Sequence, residues 1–170
     1  FGFNIAIDIS GNSYLCGQSL GSSGTIIGTI GSHQPTFAGT ADGWVVKFNG
    51  SGVRQWGTFY GDAGLDVAYG VAADAAGNVY LVGKTDAPTS NVISTPGVHQ
   101  QNFGGIEDGF IVKFNSAGTR QWGTYYGGTG TDVARNVHVD AAGNIYVTGW
   151  TDNSVPNVIG TAGAHQNVYG

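Results

Sequence analysis

An internal repeat constrains the fold of this chain more than any other feature. Shifting the 170-residue sequence against itself by 66 residues aligns it without a gap, and residues 42–104 match residues 108–170 at 36 of 63 positions. We call positions that align under this shift a column. A fixed period is typical of folds in which each unit packs on its neighbours. The chain therefore divides into about 2.6 units of one domain: a first unit (1–66), a second unit (67–132) and a partial third unit (133–170).

Each unit contains four short segments that are predicted to be β-strands. In the second unit these are residues 69–73, 78–83, 109–114 and 120–126, which are rich in β-branched and aromatic residues and are bounded by Gly, Asp or Asn. Two hairpins follow, joined by a connection over residues 86–107 that its Pro and Gly residues predict to be an irregular loop.

Four antiparallel strands per repeat predict a blade of a β-propeller, so the fold class is all-β with four-stranded sheets recurring every 66 residues. Both alternating faces of residues 110–114 are largely apolar, as expected for a strand covered by blades on both sides. A parallel β-helix is the alternative repeat fold, but its coils are much shorter. Trp56 and Trp122 occupy one column, and we expect both to be buried between blades.

Composition excludes several functional classes. The 31 Gly residues indicate many turns, the net charge is −5, and the basic residues are scattered singly, so we expect no nucleic-acid partner. No apolar run approaches the roughly 18 residues of a membrane-spanning helix, so we expect no membrane span. Cys16 is the single cysteine and aligns with small strand residues, which favours a buried structural thiol.

The repeat also separates structural residues from candidates for a unique site, because a residue present in every copy is best explained by the blade itself. The acids recur in this way except Asp62 and Glu107, so the two carboxylates needed for glycoside cleavage are hard to find. We assign the recurring Asp residues to turns. We assign the His-Gln pairs that begin at His33, His99 and His165 to loop anchoring through side-chain hydrogen bonds. No catalytic residue, metal site or cofactor is predicted.

Two residues remain as candidates for contact with a ligand or partner. His138 lies in a predicted strand where the other copies carry Ala6 and Ala72, and Trp150 replaces Gln18 and Lys84. An unmatched histidine can face a pocket, and an exposed indole can stack on a sugar or a protein.

The motifs of the repeat resemble a known family. The combination of Asp-x-x-Gly-Asn-x-Tyr-x-x-Gly at residues 74–83 with Asp-Gly-Phe-Ile-Val-Lys-Phe-Asn at residues 108–115 is similar to the bacterial SBBP repeat of seven-bladed β-propellers. The resemblance covers essentially the whole chain. It implies a large secreted or cell-surface bacterial protein and brings no common enzymatic activity with it.

We therefore expect a non-enzymatic structural or binding module that presents a propeller for adhesion, assembly, or protein or glycan binding. The alternative is part of a propeller enzyme that acts on polysaccharide, with its active site in other blades. Because propellers close with typically 4 to 8 blades, we expect these 170 residues to be completed by further blades of the same protein or by neighbouring chains.

Overall fold

A computed structural model describes residues 1–21, 26–86, 90–152 and 159–166, with residues 90 and 91 described by their backbone. The described residues form ten strands and one helical turn, α1 (Ser90–Ile93). The strands are β1 (Gly2–Ile7), β2 (Ser13–Ser19), β3 (Asp42–Phe48), β4 (Arg54–Tyr60), β5 (Asp66–Ala73), β6 (Val79–Thr85), β7 (Asp108–Phe114), β8 (Arg120–Tyr126), β9 (Asp132–Val139) and β10 (Ile145–Thr151).

The strands pair in chain order into three antiparallel sheets. Blade 1 (β1–β4) and blade 2 (β5–β8) each have four strands, and blade 3 (β9 and β10) has two strands in the described part of the chain. Register repeats as well: Gly17 pairs with Trp44 in blade 1, and the aligned Gly83 pairs with Phe110 in blade 2. The predicted all-β fold of repeated propeller blades is confirmed, and the described blades make up part of a propeller.

The connection between the two hairpins of blade 2 differs from its prediction. Residues 86–107 were expected to be irregular, but they contain α1. A helical turn leaves its last carbonyl groups without intrahelical partners. Here the Val92 carbonyl accepts a hydrogen bond from Arg120 of β8, and the Ile93 carbonyl accepts one from the Tyr60 hydroxyl of blade 1. Contacts distant in sequence thus stabilise the turn.

Within the described ranges, no helix is both long and apolar enough to span a bilayer.

The apolar core lies between neighbouring blades. One buried cluster joins Tyr14, Trp56 and Tyr60 of blade 1 to Phe110 and Phe114 of blade 2. A smaller cluster joins Tyr80 and Val82 of blade 2 to Ala134 and Val137 of blade 3. Burial of apolar surface is the main stabilising contribution to a fold of this kind. The stability of each blade therefore depends on the apolar faces of the blades packed against it.

Candidate functional site

One recurring aspartate organises the turn between the first two strands of each blade. In blade 2, Asp74 Oδ1 accepts the backbone N–H groups of Ala76 at 3.0 Å and Asn78 at 2.9 Å. Asp74 Oδ2 accepts the Asn78 amide at 2.7 Å and the Tyr80 hydroxyl at 3.1 Å. Burial alone would raise the pKa of Asp74, but these hydrogen bonds outweigh it and hold the pKa below its usual value. The same contacts surround the aligned residues Asp8 and Asp140.

A second set of carboxyl groups is buried where the long connection meets the sheet. Asp42 Oδ2 accepts the Gln34 amide at 2.8 Å and the Ala38 N–H at 2.9 Å, and Asp66 Oδ2 accepts the Asp62 N–H at 2.9 Å. Burial, and then the nearby carboxylate of Asp62, raise the pKa of Asp42 to about 6 and that of Asp66 to about 7. The Oδ1 atoms of Asp42 and Asp66 have no hydrogen-bond partner among the described residues. A buried oxygen without a partner disfavours the charged carboxylate, which agrees with the raised pKa of both groups.

The aligned groups of blade 2 repeat this arrangement. Asp108 accepts the Gln100 amide at 2.9 Å, Asp132 accepts the Gly128 N–H at 2.7 Å, and burial raises the pKa of Asp108 to about 6. Because the arrangement recurs, it belongs to the blade. In residues 1–21, 26–86, 90–152 and 159–166, no group of three or more His, Cys, Asp or Glu side chains is placed to hold a metal ion.

The two residues of each recurring His-Gln pair contact the connections in different ways. The His33 ring lies 5.7 Å from the Tyr60 ring and 6.1 Å from the Phe114 ring, and His99 lies 5.6 Å from Tyr126. Burial, and the charge of Arg120, lower the pKa of His33 to about 4, so it packs as a neutral ring. The predicted side-chain hydrogen bonds are made by the glutamines: Gln34 and Gln100 each donate to an aspartate and accept a backbone N–H group. His165 is exposed.

The structure places the two unmatched candidates on neighbouring strands but does not bring them into one pocket. His138 is exposed on β9, and its ring lies 6.5 Å from that of Tyr146, the residue that pairs with it on β10. Trp150 is 47% exposed on β10, where it pairs with Val133. Cys16 is buried, which raises the pKa of its thiol to about 12 and supports the predicted structural role.

A cavity of about 440 Å³ lies between blades 2 and 3, beside Trp150. Among the described residues, β10 forms a sheet with β9, and both strands line the cavity. Its apolar lining residues are Ile111, Tyr126, Val133, Ala134, Ile145, Val147, Trp150 and Ile159. Sequence reasoning identified Trp150 but missed the others, since their columns are ordinary core positions elsewhere.

The two recurring tryptophans differ in burial, against the expectation that both are buried. Trp56 is 6% exposed, and its indole N–H donates to the Ser116 carbonyl at 3.0 Å in the β7–β8 turn of blade 2. A Cβ atom on Gly118 of that turn would lie 2.7 Å from the Trp56 ring, so only glycine allows this close approach. Trp122 is half-buried, because the corresponding turn would belong to a second hairpin of blade 3 that the described residues do not contain.

The antiparallel four-stranded sheets repeat in sequence and pack face to face, and recurring Asp and Gly residues stabilise their turns. These features define a β-propeller repeat protein. Comparison with known families shows a more particular similarity: the family described as SBBP, beta-propeller repeat, matches residues 53–88 and 121–155. Two segments of the chain thus match the SBBP beta-propeller repeat, which confirms the resemblance predicted from its motifs.

A comparison with curated proteins adds a more distant similarity. Over 123 residues the chain is 28% identical to an uncharacterized WD repeat-containing protein of Acanthamoeba polyphaga mimivirus. The aligned segment covers 68% of this chain and 9% of that protein. The chain therefore spans a small fraction of the length of its relative.

Proposed function

We propose that this chain is a non-enzymatic structural module that binds other polypeptides through its blade faces and strand edges. The SBBP repeats and the similarity to a WD repeat-containing protein support a propeller that acts as a binding or structural module. The polar residues of the repeat support it too, since their hydrogen bonds hold turns and connections together. The fold alone does not determine function, so the proposal depends on a specific surface.

That surface is the outer face of blade 1, and it is the observation that carries the proposal. Ile5 and Ile7 of β1 are 59% and 69% exposed. Their aligned residues in blade 2, Val71 and Ala73, pack in the cluster that joins blade 2 to blade 1. Residues that serve blade contacts in one copy are thus presented to solvent in another. A contiguous exposed apolar face of this kind marks a protein-binding surface.

The finer features of the proposal rest on the family resemblance. We propose that the partner of this face is another blade, from the same protein or from a neighbouring chain, and that the assembled propeller serves adhesion or the binding of a protein or glycan. We also propose a secreted or cell-surface location in a bacterium, as the SBBP resemblance implies.

The enzymatic alternative has little support among the described residues. Of the two acids that do not recur, Asp62 is 6% exposed and accepts the Gly64 N–H at 3.0 Å. Glu107 forms an ion pair with Lys84. Neither presents a free carboxylate to a polysaccharide, and glycoside cleavage needs two.

Sedimentation velocity over a range of concentrations tests the proposal. We expect the wild-type chain to form species larger than 17.4 kDa, and the variant Ile5→Lys/Ile7→Lys to sediment as a monomer. The matched control is Val53→Lys, which charges an isolated residue that is 57% exposed in the β3–β4 turn, and it should associate like the wild type. A wild-type chain that stays monomeric would overturn the proposal. Release of reducing sugar from a panel of polysaccharides would overturn its non-enzymatic part.

A further inference from the structure

The first strand of each blade has a β-bulge at the same column. In blade 1, the pairing of β1 with β2 leaves out Phe3. The pairing of β5 with β6 leaves out Tyr69 in the same way, and that of β9 with β10 leaves out Arg135. A bulge bends its strand and changes the direction of the side chain at the extra residue. All three blades therefore redirect the side chain of this one column.

The redirected column carries a different residue in each copy of the repeat. The bulge is preceded by the same three residues, Asp-Val-Ala, at 66–68 and at 132–134, yet the column itself changes from Tyr69 to Arg135. A residue that serves the blade itself is expected in every copy. A recurring bulge that presents phenylalanine, tyrosine and arginine in turn therefore indicates a contact outside the blade.

The three side chains form one row across the blades. The Phe3 ring lies 5.5 Å from the Tyr69 ring, and the guanidinium carbon of Arg135 lies 4.2 Å from the centre of the Tyr69 ring. Tyr69 is half-buried in the middle of the row, whereas Phe3 and Arg135 are exposed. A guanidinium group that stacks on an aromatic face keeps the N–H groups in its own plane available for hydrogen bonds. The row thus presents a planar cation beside two aromatic rings.

The Arg135 guanidinium group has no hydrogen-bond or ion-pair partner in the part of the chain that the structure describes. The ion pair found there joins Lys84 to Glu107. The other two arginines, Arg54 and Arg120, each donate to a backbone carbonyl group of a connection. A guanidinium group binds a carboxylate through two parallel hydrogen bonds. Arg135 is therefore placed to receive an anionic ligand.

Two amide groups next to the row supply further hydrogen-bond donors. Asn4 Oδ1 accepts the Ile5 N–H at 2.6 Å, and Asn136 Oδ1 accepts the Val137 N–H at 2.9 Å. The Asn4 amide also donates to Asn136 Oδ1 at 3.4 Å, which joins blade 1 to blade 3. Gly70 is the aligned residue of blade 2, and a Cβ atom there would lie 2.9 Å from the Asn136 Cα. Because both amide oxygens are already used, the two side chains offer N–H groups to a ligand.

We propose that this surface binds a uronic acid unit of an acidic glycan. We call the surface the bulge row, which consists of Phe3, Tyr69 and Arg135 with the amides of Asn4 and Asn136. The inference rests on the proposed function, because it names the class of glycan that the module binds. The guanidinium group pairs with the carboxylate, the amides donate to hydroxyl oxygens, and the aromatic rings pack against the apolar face of the sugar.

The charge of the chain and the donors of the bulge row favour a sugar over other anions. The net charge of −5 repels a densely charged polyanion, whereas one guanidinium group matches one carboxylate. An acidic peptide would bring backbone N–H donors, but the amide oxygens of the bulge row are already used. A sugar hydroxyl group accepts hydrogen bonds through its two lone pairs. A sparsely charged glycan therefore fits this set of donors best.

Isothermal titration calorimetry of the wild-type chain tests the proposal, with a tetrasaccharide of alternating glucuronate and N-acetylglucosamine units as the probe. We expect saturable binding, and binding at least about tenfold weaker for Arg135→Gln. Arg135→Lys keeps the charge but loses the two parallel hydrogen bonds, so it should bind more weakly than the wild type and more tightly than Arg135→Gln. The matched control is Lys113→Gln, which removes the same charge beside another tyrosine ring and should bind as the wild type does.

Two further comparisons identify the ligand chemistry and the place of binding. The same tetrasaccharide with its carboxylates reduced to alcohols should bind at least about tenfold more weakly, and a peptide of alternating glutamate and serine should bind more weakly than the intact sugar. Trp150→Ala removes the other exposed aromatic side chain that could stack on a sugar, and should leave binding unchanged. Arg135 is exposed, so Arg135→Gln should fold; if it does not, the comparison of the two tetrasaccharides and the Trp150→Ala titration still decide the question.

Absence of binding, or equal binding of the reduced tetrasaccharide or of Arg135→Gln, would overturn the inference. Equal or tighter binding of the peptide would assign the bulge row to an acidic polypeptide, and would also overturn it. A loss in Lys113→Gln as large as that in Arg135→Gln would show unspecific attraction of charge, and a loss in Trp150→Ala would place the sugar elsewhere. The proposed function fails on a different result, a wild-type chain that sediments as a monomer without any sugar, so the two failures are distinguishable.

Discussion

The contact between blades 1 and 2 and the contact between blades 2 and 3 are built from the same columns but differ in completeness. At the first contact, Trp56 and Tyr60 are buried beneath Phe110 and Phe114. At the second, the aligned residues Trp122 and Tyr126 are half-buried beside a cavity. The sequence around each pair is nearly the same, since Arg-Gln-Trp-Gly-Thr occurs in both copies.

The difference shows that the burial of a recurring residue is decided by the next blade. Phe114 lies in β7 of blade 2, yet its ring contacts Trp56 and Tyr60 of blade 1. The third and fourth strands of each blade thus complete the core of the blade before it. In a repeat protein of this kind, stability is approximately a sum of unit and interface contributions, and the contribution of the second interface is incomplete.

Replacing the two tryptophans one at a time gives the largest effect that tests this comparison. We expect Trp56→Ala to lower the free energy of unfolding by roughly 3 to 5 kcal/mol, because the ring is buried and its removal leaves a cavity. Trp122→Ala should lower it by about half as much, since water already reaches part of the ring.

Urea denaturation of the two variants under the same conditions measures both values, and the slope of the transition controls for changes in the unfolded state. Equal losses would show that the two interfaces are equally packed, against the comparison.

The pH dependence of stability tests the buried carboxyl groups at the first contact. The pKa of Asp66 is raised to about 7, while an aspartate in the unfolded chain titrates near 3.8. The folded chain therefore binds more protons in this range, so the free energy of unfolding falls as pH rises from about 4 to 7. At about 1.4 kcal/mol per pH unit, Asp66 alone accounts for roughly 4 kcal/mol. Asp42 and Asp108 act in the same direction.

His33 acts in the opposite direction, because its pKa is lowered from 6.5 to about 4. Between these pH values the folded chain binds fewer protons than the unfolded chain at this residue, so its contribution to the free energy of unfolding rises with pH. The three aspartates outweigh His33, so we expect a net loss of stability as the pH rises from about 4 to 7. Urea denaturation at pH 4, 5.5, 7 and 8 measures this loss. Asp66→Asn should flatten the dependence. Asp62→Gly, which makes this site like the one in blade 2 where Gly128 is aligned, should flatten it less. Stability that rises between pH 5 and 7, or an unchanged slope in Asp66→Asn, would contradict the assignment.

The parts of the molecule that could be predicted from the sequence are those determined locally. Gly and Asn residues end the strands, and an alternating or continuous apolar pattern fills them, so the predicted strand at residues 120–126 agrees with β8. The start of β5 was missed by three residues, because the Asp66 N–H donates to the Ala41 carbonyl at 2.7 Å, a contact distant in sequence that strand propensity does not reveal.

The features that could not be predicted depend on contacts between elements distant in sequence. The helical turn α1 is stabilised by Tyr60 and Arg120, which precede and follow it by many residues. The exposure of Trp122 and the cavity beside Trp150 depend on the strands that accompany β10, which no pattern within residues 120–151 reveals. Comparison of columns identified Trp150 as unusual, but only the structure shows that it lines an apolar cavity.

A smaller effect is expected from removing the tyrosine hydroxyl groups that cross each contact. The Tyr60 hydroxyl donates to the buried Ile93 carbonyl, and the Tyr126 hydroxyl donates to the Ile159 carbonyl at 2.9 Å. Tyr60→Phe leaves a buried carbonyl without a partner and should lower the free energy of unfolding by about 1 to 3 kcal/mol. Tyr126→Phe should lower it by less than about 1 kcal/mol, because water can replace the hydroxyl at the half-buried site. Thermal and urea denaturation of the two variants measure both losses. A larger loss for Tyr126→Phe than for Tyr60→Phe would contradict the difference in burial.

The two unmatched residues, Trp150 and His138, differ in burial and should therefore differ in their small effects on stability. The His138 side chain is exposed, and its ring lies 6.5 Å from that of Tyr146, so His138→Ala should change the free energy of unfolding by no more than about 0.5 kcal/mol. Trp150 is 47% exposed and lines the cavity between blades 2 and 3, so Trp150→Ala should lower the free energy of unfolding by about 1 to 2 kcal/mol. Urea denaturation of the two variants measures both values, and equal losses would contradict the packing of Trp150 against the cavity.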